Sequence, residues 1–174
     1  MPDVSQINEV LGLASRVREA GGWLLRLLRQ LRRKTAADDP APGDWQSRSL
    51  AYRRFQDAAL NVFLNLQYLA TVGTPPRLAG ALWTWPSAIR AWRRVLDSLN
   101  ESLGAIYEMA IIGDHGVLDA AVSVGEMLGQ MASQFPARRG GGSLPPEFAS
   151  LVDDAGQRLL DFAASARADL QKKP

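Results

Sequence analysis

The chain of 174 residues has no cysteine and a single histidine, His115. Without cysteine there is no thiolate catalysis, no iron–sulfur ligation, no Cys-based zinc site and no disulfide scaffold. One imidazole excludes any site that needs two and makes a Ser-His-Asp triad depend on one residue. Long apolar runs are missing too. The longest uncharged stretch, residues 58–76, contains Asn61, Asn65, Gln67 and the pair Pro75-Pro76, and is too polar and too broken to span a membrane. The start, MPDVSQINEV, carries Asp3 and Glu9 and lacks the apolar segment of a secretory signal. A cytoplasmic protein is therefore expected, or one attached to a membrane surface.

Lysine is scarce, 3 against 17 arginines, amid abundant Ala, Gly and Pro. A GC-rich genome imposes that bias, so a basic pI near 9.3 argues only weakly for nucleic acid. At 47% hydrophobic and 22% charged residues the composition is that of a folded globular domain.

Helical periodicity fills most of the chain. Apolar residues recur at three- and four-residue spacing in five segments: Val4 to Leu31; Trp45, Tyr52, Phe55, Ala59, Val62, Leu66, Leu69; Ile89, Trp92, Leu96, Leu99, Leu103, Ile106, Ala110; Val117 to Phe135; and Phe148, Val152, Ala155, Leu159, Phe162, Ala166, Leu170. Each set falls on one stripe of a helix, and no segment alternates as a strand does. Asp44 and Asp114 are placed to cap the second and fourth helices. Pro86 suits the first turn of the third, and Gly73-Thr74-Pro75-Pro76 ends the second. The spacing predicts rods of about 26 to 28 residues for helices two, three and five and about 22 for helix four, lengths that pack well side by side. The expected fold is all-α: an antiparallel four-helix bundle over 45–174, a linker over 35–44, and an additional N-terminal amphipathic helix over 1–34.

No catalytic constellation emerges. Asp97, Glu101 and Glu108 share a helix face away from Leu99, Leu103 and Ile106, which reads as solvated surface. Asp153-Asp154 diverge by about 100° around a helix and make no dyad. His115 and Asp119 have i, i+4 spacing but no further imidazole or thiolate to complete a metal site. Gly140-Gly141-Gly142 lacks the Lys-Ser/Thr of a phosphate-binding loop. Neither enzymatic activity nor a cofactor or metal is expected.

Two segments are richer. In Gly22-Trp23-Leu24-Leu25-Arg26-Leu27-Leu28-Arg29-Gln30-Leu31-Arg32-Arg33-Lys34, the residues Trp23, Leu24, Leu27, Leu28 and Leu31 form one face, with Arg26, Arg29 and Arg33 opposite. Residues 1–34 hold seven basic and three acidic side chains. Such a helix binds a membrane surface or a partner's groove, or it is a bundle helix with a basic outer face. Around residue 90, Trp83, Trp85 and Trp92 interleave with Arg90, Arg93 and Arg94. Trp92 lies on the core stripe; Trp83 and Trp85 either staple the start of the helix or form a partner hot spot. On helix four, Ala121, Gly125 and Gly129 at four-residue spacing read as a place of close helix approach.

Arg48-x-x-x-Tyr52-x-x-Phe55, the Pro75-Pro76 turn and the closing Phe162-Ala163-Ala164-Ser165-Ala166-Arg167-Ala168-Asp169-Leu170 resemble a class of small all-helical proteins common in actinobacteria. The resemblance covers residues 45–174, implies the helical fold and carries no activity or site residue. The expected function is a non-catalytic helical interaction or assembly module, self-associating as a homo-oligomer or docking a protein partner through Trp23, Leu24, Arg26, Leu27, Leu28, Arg29, Leu31, Arg33, Trp83 and Trp85. The alternatives are a peripheral protein on an anionic membrane surface, anchored by residues 21–34, and a bundle that binds a small ligand. Nucleic acid is disfavoured as a partner.

Overall fold

Five helices account for nearly all of the residues that the structure, a computed structural model, describes: 4–35, 44–72, 81–112, 114–135 and 146–172. They are α1 (Val4–Thr35), α2 (Trp45–Val72), α3 (Ala81–Ile112), α4 (His115–Ser133) and α5 (Pro146–Gln171). There is no strand among the described residues.

The caps fall where the sequence puts them. Asp44 accepts from the backbone N–H of Ser47 at 2.9 Å and from its hydroxyl at 2.7 Å, and Asp114 accepts from Gly116 N–H at 2.8 Å. Both carboxyls titrate below their ordinary range. For Asp44 the bonds from Ser47 are the cause; for Asp114, burial pulls upward and is outweighed by Lys172 and by the Gly116 N–H. The start of α3 differs from expectation. The helix begins at Ala81, so Pro86 stands six residues in, where its missing N–H removes the bond that would run to the Leu82 carbonyl. Helix α3 is therefore 32 residues long, and α4 is 19.

The core is continuous across all five helices. It takes Val17, Leu24 and Leu28 from α1, Phe55, Val62 and Leu66 from α2, and Val95 and Ile106 from α3. From α4 come Val124, Leu128 and Met131, and from α5 Ala155 and Phe162. Edge-to-face rings join the elements: Phe55 to Phe162 at 4.7 Å, Trp92 to Phe135 at 4.8 Å, and Phe135 to Phe148 at 5.6 Å between centroids. Trp45 departs from its predicted stripe. It is about half exposed, because its indole N–H donates to the Leu170 carbonyl at the end of α5 instead of entering the core.

Helix α4 is the central element. Among the described residues it touches the other four helices, whereas α1 touches only α3 and α4 and α5 touches only α2 and α4. The glycines on α4 make this possible. A Cβ on Gly125 would come within 2.8 Å of Leu28, and one on Gly129 within 3.0 Å of Leu25, so α1 lies against α4 closely. The first helix, for which the sequence left open a bundle helix with a basic outer face, shares the core of the rest.

Candidate functional site

The structure divides the α1 candidates. Leu24 and Leu28 are buried in the chain's own core, and Leu27 is half-buried against it. This corrects the expectation that they face a partner or a membrane: Leu28 meets α4 at Gly125, and Leu24 and Leu27 pack within the chain's own core. Trp23 is 47% exposed, and Arg26 and Arg29 are exposed. The side chains of Leu31, Arg33, Trp83 and Trp85 lie outside the described residues.

The outward surface of α1 has two flanks. Toward α3, Glu9 pairs with Arg93 at 2.6 Å, and Trp23 follows it two heptads on along the same stripe. On the other flank Leu25 packs toward Gly129 of α4, and Arg18 and Arg29 stand seven residues before and four after it, on one stripe.

Beside that second flank, α4 presents a polar stripe to solvent. Its members Asp119, Ser123, Glu126, Gln130 and Ser133 are spaced four and three apart, and all are at least partly exposed. Across the stripe from α1 lies α5. Between α4 and α5 runs an open groove of about 570 Å³ lined by Asp119, Ala120, Ser123, Asp154, Gln157, Arg158 and Asp161. Arg158 donates to the Ser123 hydroxyl and spans the groove, and Gln157 donates to Asp161 at 3.0 Å. No ion pair among the described residues engages Asp119, Asp154 or Asp161. No group of three His or carboxylate side chains among them converges as a metal site. Sequence reasoning missed this groove, having weighed Asp119 only with His115 and Asp154 only with Asp153. The four–three spacing of polar residues on α4 was the available signal.

A second polar cluster is buried. Asp169 on α5 is 3% exposed and accepts from Arg48 at 2.7 Å and from the Tyr52 hydroxyl at 2.8 Å. Tyr52 in turn accepts from the Asp114 backbone N–H at 3.3 Å. Lys172 reaches Asp114 at 3.1 Å and lies 3.9 Å from Asp169. The cluster ties the start of α2, the α3–α4 turn and the end of α5 together through Arg48, Tyr52 and Asp169. Burial is the main cause that pushes the Tyr52 phenol up to about 12, with the Asp114 N–H pulling the other way and Asp169 adding to the rise. The folded protein holds this proton more tightly than the unfolded chain. The stability it supplies is complete below pH 10 and is lost as pH rises from about 10 through about 12. Tyr52→Phe should flatten the alkaline loss of stability in that window, measured by urea unfolding at a series of pH values.

No family model, curated protein or solved structure matches the chain. No helix among the described residues is long and apolar enough to cross a membrane.

Proposed function

We propose that the protein is a non-catalytic assembly module: an antiparallel bundle of α2 to α5 with α1 laid along α4, which self-associates through the outward surface of α1. The observation that carries this reading is the division of α1. Its leucines Leu24 and Leu28 are spent on its own core, while Trp23 stays half exposed beside the exposed Arg26 and Arg29. Tryptophan and arginine are the residues that most often dominate protein–protein contacts, and a basic surface selects an acidic partner. Insertion into lipid is less well supported, because two of the five side chains expected to enter it are inside the bundle. The α4–α5 groove has the volume of a small-molecule site, but three carboxylates line it where such sites are mostly apolar.

Sedimentation velocity on the full chain tests the reading. The expected result is a mass that rises with protein concentration and falls back toward monomer as salt is raised. Flotation with anionic and neutral vesicles is run beside it. A constant monomer mass overturns self-association, and flotation with anionic vesicles alone turns the reading to a membrane surface. Point variants are needed for this work, since deleting residues 1–34 would strip Val17, Leu24 and Leu28 from the core.

A further inference from the structure

The charge on the two sides of the α4 stripe is unequal. Helix α1 carries seven basic and two acidic residues; α4 and α5 together carry seven acidic and two basic. Four of these residues lie at the same height along the molecule, Arg26 and Arg29 on α1 and Asp154 and Asp161 on α5. Leu28 of α1 is level with Gly125 of α4, which puts Arg29 beside it and Arg26 less than a turn further along. Arg158 of α5 is level with Ser123, which puts Asp154 one turn to one side and Asp161 one turn to the other. The stripe between them is polar, partly exposed and uncovered by either flanking helix, because α1 and α5 do not touch.

We infer that the occupant of this face is a second copy of the chain, docked about a two-fold axis that lies in the contact plane and runs parallel to α4 over Ser123, with Arg26 and Arg29 of each copy set against Asp154 and Asp161 of the other. The inference rests on the self-association proposed above and places it on the α4 flank of α1, beside Arg18 and Arg29, with Trp23 on the α3 flank outside the contact. A two-fold axis in the contact plane, parallel to α4, sets the α1 side of each copy over the α5 side of the other, so the basic flank of each copy meets the acidic flank of its neighbour in both halves of the contact at once. The pairing is between flanks: Arg26 and Arg29 are exposed on α1, and Asp154 and Asp161 are exposed on α5. Such pairing is isologous and closes at two copies, whereas charge of one sign on this face would have driven two copies apart.

A charge swap tests it. One variant carries Arg26→Glu and Arg29→Glu, the other Asp154→Arg and Asp161→Arg, each in the full chain. All four positions are exposed, and circular dichroism checks that both variants keep their helices. Sedimentation equilibrium is expected to show dimers for the unmodified chain and, for each variant alone, dissociation constants weakened on the order of a hundredfold, since two charges are reversed at both contacts. An equimolar mixture is expected to regain the dimer, because each variant then meets its complement and each unaltered flank meets an unaltered one. Recovery in the mixture also shows that both variants are folded. If the unmodified chain associates but the α5 variant associates equally well, or the mixture gains nothing, the receiving surface is wrong while self-association through α1 stands. If the unmodified chain remains a monomer throughout, both fall together.

Discussion

Replacing Asp169 with alanine is expected to destabilise the protein by about 3–5 kcal/mol, the cost of leaving a buried charge without its partner. Arg48 is 11% exposed, and its Nε has no hydrogen-bond partner in the structure, so its Nη1–Asp169 contact carries the compensation for a cation held out of water. The Tyr52 hydroxyl would lose its acceptor at the same time. A loss of that size is a large share of the roughly 5–15 kcal/mol that holds a domain together. Urea unfolding of Asp169→Ala, Arg48→Met and the double variant measures the coupling. The double variant should recover part of the loss, since an apolar pair in place of a buried ion pair is often neutral. A loss below about 1 kcal/mol for Asp169→Ala, the range of an exposed pair, would show that water reaches Arg48 and that the cluster is no lock.

Gly21 and Gly22 should respond to alanine with opposite signs. A Cβ on Gly21 would stand 2.7 Å from the Gly129 carbonyl oxygen, 2.9 Å from the Ala132 Cβ and 2.9 Å from the Ser133 nitrogen. Two of these are backbone atoms that cannot rotate aside, so α1 must move off α4 and loosen the packing of Leu24 and Leu28. Overpacking of this kind costs about 1–3 kcal/mol. Gly22, one residue on, has nothing within 4 Å of the same added atom. Gly22→Ala gains helix propensity alone, about 0.8–1 kcal/mol. For a chain of this size the two variants should melt on either side of the parent, at about 2–4 °C per kcal/mol. Equal melting points would mean that α1 does not pack on α4 as described.

The stripes of the core were legible in the sequence because a helical period of 3.6 is a local property. All six members of the α4 stripe from Val117 to Phe135 are buried, as are Tyr52, Phe55, Ala59, Val62, Leu66 and Leu69 of α2. Trp45 failed because its indole finds a carbonyl on α5, a partner 125 residues away that no local pattern encodes. Asp169 was invisible for the same reason: a carboxylate near a helix end reads as solvated until Arg48 and Tyr52 are known to meet it. The small residues Gly125 and Gly129 did announce a close helix approach, but not which helix would come. With α1 in that place, its apolar face turned from a candidate docking surface into core, and the α4–α5 groove became a surface to consider.

The long reach between α1 and α4 has a bearing on how the protein is made. Gly21 and Gly129 are neighbours in the fold, yet roughly a hundred residues of chain must leave the ribosome between them. At about 5–20 residues per second, the leucines of α1 wait roughly 5–20 s for the helix that shelters them. The α2–α3 pair, close in sequence and extensively packed, can form in that interval, but it offers α1 only the α3 half of its seat. A nascent chain stalled before Gly125 would therefore hold Leu25 and Leu28, the leucines set against Gly129 and Gly125, without their cover.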